Sequence, residues 1–335
     1  MDWLIHEFFQ RKRGNIKMET PKKSTSKSKN EEFQFVNLDE VTAAQSGVAQ
    51  KSLSFHEKAW HQLKHNHAAM ASLIFLLFIA VVSVASLFWM PHDPNAQNVS
   101  LSNLKPFTNG SYPLGTDGLG RDMFSRLLYG TRISLMIALF ATLVDILIGV
   151  PYGLVSGWCG GRVDNILQRI IEIISSIPEL VLIMLLLIIL KPGMVSIILA
   201  IALSSWVLMA RLVRASAMQI KSADFVLAAQ AMGESPMQIA FRHILPNTMG
   251  VIITRTMFTI PAAIFLEALL SFIGIGVKAP NASLGTLLNT GEKGFQFYQY
   301  QLWEPVLVLS LMMIAFNLLG DGLRDAFDPN TRGEK

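Results

Sequence analysis

Long apolar runs alternate with polar stretches along this chain, and charged positions inside the runs are few. The first run, residues 68–90, carries no charged side chain. A helix of about 20 mostly apolar residues is long enough to cross a hydrocarbon core of roughly 30 Å. This criterion predicts six membrane-spanning helices, at about residues 68–90, 134–156, 167–190, 195–213, 250–275 and 303–322. The pattern therefore predicts an all-α integral membrane protein.

Lysine and arginine are unequally distributed between the two sides of these predicted spans. If the N-terminus is cytoplasmic, the cytoplasmic stretches hold twelve of them and the outer stretches hold seven. Because positive charge is retained on the cytoplasmic side, we expect a multi-pass protein of the cell membrane with both termini in the cytoplasm. The expected organisation is a partly flexible cytoplasmic extension (1–67), a first transmembrane helix (68–90), an extracytoplasmic loop (91–133), a core with five transmembrane helices (134–323) that contains a cytoplasmic loop (214–249), and a cytoplasmic tail (324–335).

Composition supports a membrane environment and argues against several other classes of protein. The 335 residues are 51% hydrophobic and 16% charged, whereas soluble domains carry roughly 25% charged residues. The net charge of +4 fits cytoplasmic Lys and Arg better than nucleic-acid binding. No Gly-Lys pair followed by Ser or Thr occurs, so the chain lacks the phosphate-binding loop of ATPases. We therefore expect that it does not hydrolyse ATP itself.

The cytoplasmic loop 214–249 carries the start and stop signals of a first short helix. Either Asp224 or Ser222 is expected to cap that helix at its N-terminus. Gly233 follows the helix at the position where a positive φ is required and where glycine is favoured. The sequence therefore predicts a short helix that ends in a sharp corner.

A second short helix is predicted directly after that corner. Ser235 is placed as its N-cap, Pro236 as its first residue, and Gln238 as the partner of a capping box. The helix is expected to end at Pro246. Such a helix pair is suited to docking a partner protein, although many loops between transmembrane spans also contain short helices.

Three glycines recur every four residues within the second predicted span. Gly149, Gly153 and Gly157 share one face of that helix. A stripe of small residues allows a second helix to approach closely. Helix packing is the favoured interpretation, and direct contact with a transported substrate is the alternative.

Acidic residues within the spans are candidates for a role in transport. A charge at the centre of a bilayer costs about 2.5–3.5 kcal/mol on insertion scales, so such residues should face protein or water. Glu179, directly after Pro178, is expected either to line a cavity or to pair with a neighbouring helix. Glu267 is expected to act in packing or gating.

Three histidines lie within the seven residues before the first span. His61 and His65 share a helix face, and His67 follows closely. We interpret them as a polar face beside the membrane and predict no metal site.

The cytoplasmic loop also carries a longer sequence pattern, made of paired alanines, a glycine and a run that ends in Pro-Asn. Ala228 and Ala229 are followed by Gly233 and by the run 243–247. This order resembles the signature loop of the permeases of binding-protein-dependent ABC importers. In that family the loop forms the coupling helix, which docks in a cleft of the ATPase subunit. The resemblance implies that the coupling residues are Ala228, Ala229, Gly233, Ser235, Pro236, His243, Leu245 and Pro246.

Three other stretches resemble the dipeptide and oligopeptide branch of the same family. They are residues 114–130, 267–276 and 317–329. Within the first of them, Asp117, Arg121 and Asp122 are expected to shape an outer gate or to contact a binding protein. Folding of the outer loop is the alternative role of these three residues.

The resemblance implies a type I ABC importer permease fold, with six transmembrane helices and a cytoplasmic coupling helix. It further implies uptake of dipeptides or oligopeptides by alternating access. The implied partners are a second homologous permease chain, two cytoplasmic ATPase subunits, an extracellular peptide-binding protein, membrane lipids and the peptide, but no nucleic acid. ATP and Mg would be used by the ATPase subunits, and this chain would be non-catalytic and bind no cofactor.

One position departs from the family pattern. The family usually has Glu immediately before the paired alanines, where this chain has Leu227. Three residues after Asp224, a Glu would close a capping box, which Leu227 does not. Leu227 would instead add an apolar contact to the ATPase cleft.

Other functions remain as alternatives at this stage. Relatives within the same importer class carry nickel, opines or sugars. An ion-driven secondary transporter would show inverted repeats, and none is evident. A membrane-embedded enzyme would need a catalytic constellation such as His-Glu-x-x-His, which the sequence lacks.

Overall fold

A computed structural model describes residues 55–191 and 193–327, so residues 1–54 of the extension predicted for 1–67 and the end of the tail, 328–335, lie outside it. The described chain is helical, apart from turns and isolated bridges. The α-helices are α1 (Phe55–His65), α2 (His67–Ala85), α3 (Met123–Cys159), α4 (Gly161–Ser175), α5 (Glu179–Leu190), α6 (Met194–Lys221), α7 (Asp224–Ala231), α8 (Pro236–Ile239), α9 (Leu245–Phe272), α10 (Leu284–Lys293) and α11 (Tyr300–Phe327).

The predicted all-α membrane fold is confirmed in the described residues. Five helical segments are long and apolar enough to cross a membrane: α2, α3, α6, the segment from α8 through α9, and α11. A bent pair, α4 and α5, supplies a sixth span if it is counted as one. The main apolar core is built from residues of α1, α2, α3, α5, α6, α9, α10 and α11.

The single helix predicted for residues 167–190 is wrong. The structure has α4 and α5 at an angle of 81° to each other. Pro178 lies at the break, with φ −55° and ψ 130°, and α5 starts directly after it at Glu179. Because proline has no N–H and disfavours helical geometry in the residue before it, one continuous helix is interrupted here. Glu179 therefore begins a helix instead of lying within one.

The second correction concerns the cytoplasmic loop. The helix that starts at Pro236 does not end at Pro246 but runs on to Phe272 as one span. Residues Ala240–Ile244 form a π-helical turn, and the N–H of Leu245 bonds to the carbonyl of Ala240. The wider turn admits Pro246 in the first turn of α9, where its missing N–H is not needed.

The first short helix also starts differently from the prediction. Its N-cap is Ala223, and neither Asp224 nor Ser222 caps it with a side chain. Asp224 is instead the first helical residue. A Glu at position 227 would therefore not occupy the capping-box position, so Leu227 does not sacrifice that hydrogen bond.

Helices α3, α6 and α11 are longer than the hydropathy pattern predicted, whereas α2 ends at Ala85 and not near residue 90. Helix α3 starts at Met123, with Asp122 as its N-cap, and not near residue 134. Helix α1 belongs to the packed structure, since Leu63 is buried in the main core. At Gly322, α11 packs closely against α1 and α2. A Cβ at this position would collide with Ala69, which explains the glycine.

The glycine stripe forms the contact between α3 and α6. A Cβ on Gly149 would lie 2.8 Å from the Trp206 carbonyl oxygen, and one on Gly153 would lie 2.5 Å from the Ala210 carbonyl oxygen. Since such contacts are too short for real side chains, glycine is required. The stripe packs two helices together.

Candidate functional site

The corner segment, residues 222–249, joins α6 to α9. Gly233 has φ +83°, and a Cβ there would meet no atom within 4 Å. Positive φ, not lack of space, is therefore the reason for glycine at this position. The N–H of Gly233 bonds to the Gln230 carbonyl at 3.0 Å, and the N–H of Glu234 bonds to that of Ala229 at 3.2 Å. These bonds close α7.

The predicted capping box of α8 is present. Ser235 Oγ accepts a hydrogen bond from the N–H of Gln238 at 3.3 Å, and Gln238 Oε1 accepts one from the N–H of Ser235 at 2.8 Å. Pro236 occupies the first turn. The direction of the chain after the corner is thus fixed by local hydrogen bonds.

The sequence reasoning missed a contact of Glu234 with His243 and Arg242, which joins the two sides of the corner. The Nε2 atom of His243 lies 2.9 Å from Glu234 Oε2, and Arg242 lies 3.8 Å from the other oxygen of Glu234. The ring of Phe225 stands 6.3 Å from that of His243. The sequence pattern did not indicate this role for Glu234, because its partners Arg242 and His243 follow eight and nine residues later. This pairing gives His243 a structural role in the corner.

The corner segment has one buried face and one exposed face. Ala229 packs with Val226 and Ile244 in an apolar cluster that also includes residues of α3 and α6. Ala228 is exposed, whereas Leu245 is half-buried and Pro246 is exposed. Large apolar side chains stand on the exposed face of the isolated chain, namely Phe225, Leu227, Met232, Met237 and Phe241. Such a surface is typical of a protein interface.

Asp117 and Arg121 lie in the loop before α3, which was predicted to be extracytoplasmic and is called the outer loop here. Asp117 is buried and accepts hydrogen bonds from the N–H groups of Leu119 and Arg121 at 2.9 and 3.0 Å. Arg121 Nε donates to Asp117 Oδ2 at 2.7 Å. Their contacts are internal, which favours a role in folding the loop.

Asp122 is likewise buried and makes internal contacts. It accepts hydrogen bonds from the N–H of Ser125 at 3.1 Å and from the Ser125 hydroxyl at 2.6 Å, at the start of α3. His92 Nδ1 lies 3.2 Å from the same carboxylate. The outer loop also contacts α11, because the Tyr300 hydroxyl lies 2.8 Å from the carbonyl oxygens of Leu104 and Thr116.

Glu267 is buried at the centre of a hydroxyl network. It accepts hydrogen bonds from Ser134 of α3 at 2.6 Å and from Ser271 at 2.7 Å. The Ser134 hydroxyl accepts a further bond from the N–H of Leu284, the first residue of α10. Glu267 therefore connects three helices, as a packing role requires.

Glu179 lines a cavity of about 320 Å³ beside the break between α4 and α5. Its carboxylate accepts a hydrogen bond from Ser204 of α6 at 3.1 Å. Arg255 of α9 lines the same cavity and also a second one of about 860 Å³, which extends toward the corner segment. We call the two cavities together the α6–α9 cleft. The sequence reasoning missed Arg255, although it is the sole cation in the predicted span 250–275.

The three histidines form no metal site in the described structure. His65 Nδ1 lies 2.8 Å from the carbonyl oxygen of His61, one turn earlier. Among residues 55–191 and 193–327, no group of three or more His, Cys, Asp or Glu residues is arranged to hold a metal ion.

Structural comparison shows the type of fold. The chain resembles a chain of the MetNI methionine ABC transporter in an inward-facing conformation, with a TM-score of 0.51 and 20% identity. The match covers 62% of this chain and 98% of that chain. The predicted ABC importer permease fold is thereby confirmed.

Sequence comparison extends the likeness to most of the chain. The dipeptide transport system permease protein DppC of Bacillus subtilis is 44% identical over 89% of this chain and 93% of that protein. The oligopeptide transport system permease protein OppC of the same organism is 38% identical over 88% of this chain and 98% of that protein.

Family models agree with these relatives. Residues 54–106 match the N-terminal transmembrane domain of oligopeptide transport permease C. Residues 149–333 match the model of the binding-protein-dependent transport system inner membrane component. The chain therefore belongs to the family of binding-protein-dependent transport system inner membrane components, the multi-pass permease subunits of ABC importers.

Proposed function

We propose that this chain imports dipeptides or oligopeptides as one of two homologous permease subunits. Two ATPase subunits would bind on the cytoplasmic side, where both termini lie, and an extracellular binding protein would deliver the peptide. The names of the DppC and OppC relatives support the peptide substrate. ATP and Mg would be used by the ATPase subunits, and this chain would be non-catalytic.

The corner segment is the observation on which the proposed coupling rests. It has a fixed backbone at Gly233 and Ser235 and an exposed apolar face. An ATPase subunit that covers this face would bury apolar surface, which is favourable at about 25 cal/mol per Å². Motion of the docked ATPase would then move the helices joined to the corner and reorient the cleft.

Two substitutions test the docking without disturbing the core. Met232 and Met237 are 76% and 69% exposed, so an Asp at either position is compatible with the folded chain. We expect Met232→Asp and Met237→Asp to reduce recovery of ATPase subunits when the tagged chain is purified from native membranes. Phe297→Asp is the matched control, because Phe297 is 79% exposed in the predicted outer region.

The purification also tests the assembly itself. Mass spectrometry of the wild-type sample should identify a second permease and ATPase chains, and uptake of labelled dipeptide should require them. Recovery of the wild-type chain alone from native membranes would contradict the proposed assembly. Equal ATPase recovery with the Met variants and with the Phe297 control would contradict docking at the corner.

A further inference from the structure

The α6–α9 cleft runs from the break between α4 and α5 toward the corner segment. Ser204 and Ser205 of α6 line the smaller cavity, and Ser216 and Gln219 of the same helix line the larger one. Arg255 of α9 is the one described residue that lines both cavities.

Arg255 has the properties of a binding group for an anion. Its Nε atom is buried and has no hydrogen-bond partner among the described residues. A guanidinium carries five N–H donors in a planar fork, which matches the two oxygens of a carboxylate. Because the Nε atom is closed to solvent, a carboxylate in the cavity would be bound by the terminal N–H groups of the guanidinium.

Asp145 compensates part of the charge of Arg255 without occupying its donors. It lies on α3 and is fully buried. Asp145 and Glu179 both act electrostatically on Arg255. In the described structure neither carboxylate lies within 4.0 Å of the guanidinium, so no ion pair occupies its donors.

Glu179 supplies the opposite charge in the smaller cavity. Its side chain is exposed to the cavity at the N-terminus of α5, where the helix dipole stabilises a carboxylate. It accepts one hydrogen bond from Ser204 and retains acceptor capacity for an ammonium group. The cavity thus presents an acidic and a basic side chain to the same bound molecule.

These observations point to a ligand that carries both charges. We infer that the cleft binds the two termini of a peptide, with Arg255 holding the carboxylate and Glu179 holding the ammonium. This inference rests on the proposed peptide substrate. The smaller cavity, at about 320 Å³, lies at the lower end of the roughly 300–1,000 Å³ range of ligand sites. A site that binds only the terminal ammonium and carboxylate would accept peptides with any side chains, because all peptides carry these two groups.

Photo-crosslinking tests this site in the purified complex without its binding protein, so that only the membrane subunits select the ligand. The probe is alanyl-photoleucine, and labelled segments are identified by mass spectrometry. We expect labelling on α6 and α9. Unlabelled alanyl-alanine should compete at least tenfold better than its C-terminal amide or its N-acetyl derivative, since each derivative lacks one charge.

Two variants assign each charge to one side chain. In Arg255→Gln, alanyl-alanine should lose its advantage over the amide but keep its advantage over the N-acetyl derivative. Glu179→Gln should show the reverse. Arg169→Gln and Glu172→Gln are matched controls, because this ion pair is exposed on α4 and lines neither cavity. Recovery of ATPase subunits with each variant verifies that the complex is folded.

The possible failures are distinguishable. No labelling of α6 or α9 in the wild-type complex, or equal loss of competition by the acid and the amide in Arg255→Gln, would overturn the terminal-binding site. If the complete wild-type complex in proteoliposomes takes up no peptide, the proposed function fails and this inference fails with it. Uptake together with equal losses overturns the inference alone.

Discussion

The contact between α3 and α6 makes a quantitative prediction at Gly153. A Cβ at this position would lie 2.5 Å from the Ala210 carbonyl oxygen, whereas ordinary contacts begin at 3.4 Å. Gly153→Ala therefore requires the two helices to separate by about 0.9 Å. The obstacle is backbone, which cannot rotate away as a flexible side chain can.

The energetic contributions predict that Gly153→Ala lowers the free energy of unfolding. Overpacking costs about 1–3 kcal/mol, and separation of the helices would also loosen the contacts of Gly149 and Gly157. Alanine gains about 1 kcal/mol in helix propensity over glycine. We expect a net loss of about 1–2 kcal/mol for Gly153→Ala, and a larger loss for Gly153→Leu.

A thermal melt of the detergent-solubilised chain, followed by size-exclusion chromatography, measures this effect. For a chain of this size, the expected loss corresponds to a Tm lower by about 2–6 °C. Gly110→Ala is the control, because a Cβ at Gly110 would meet nothing within 4 Å. If Gly153→Ala melted at the wild-type temperature, glycine would not be required for the close approach of the two helices.

Three further substitutions probe other contacts. A valine at position 233 would have to adopt a left-handed backbone conformation, so Gly233→Val should lower stability by about 1–2 kcal/mol and reduce ATPase recovery up to roughly tenfold. Unchanged recovery would show that the corner tolerates a side chain. Asp164 accepts two hydrogen bonds from Arg214, at 2.5 and 2.6 Å. Asp164→Asn should weaken this pair and lower the free energy of unfolding by about 2 kcal/mol, which would be measured as a lower Tm. Tyr300→Phe removes the hydroxyl bonded to the outer loop and should accelerate hydrogen exchange at residues 98–117; wild-type exchange would show that the hydroxyl does not hold the loop.

Local signals were the most predictable part of the site. The capping box of Ser235 and Gln238 and the positive φ of Gly233 were predicted because each depends on residues close in sequence. The N-cap of α7, Ala223, was missed because its side chain has no hydrogen-bond acceptor. The π-helical turn that carries the helix past Pro246 was missed because proline normally ends a helix.

Tertiary relations were not predictable from the hydropathy pattern. The hydropathy pattern placed residues 167–190 in one span, and hydropathy alone does not indicate the 81° bend between α4 and α5 at Pro178. The sequence identified Glu179 as unusual but not its proximity to Ser204 and Arg255, which lie on two other helices. Burial of Asp117 and Asp122 also depends on how the outer loop folds, which the charge pattern does not indicate.

The helix that begins at Pro236 links the corner segment to the cleft. It runs 37 residues without a break to Phe272, a length of about 55 Å at 1.5 Å per residue. Arg255 lies on this helix, and α6, which forms the opposite wall of the cleft, ends at Lys221 directly before the corner. Both walls of the cleft therefore enter the same short segment. Because a continuous helix transmits a displacement along its axis, a shift imposed at the corner reaches Arg255 without an intervening loop. We infer that this continuity couples an event at the exposed face of the corner to the shape of the cleft.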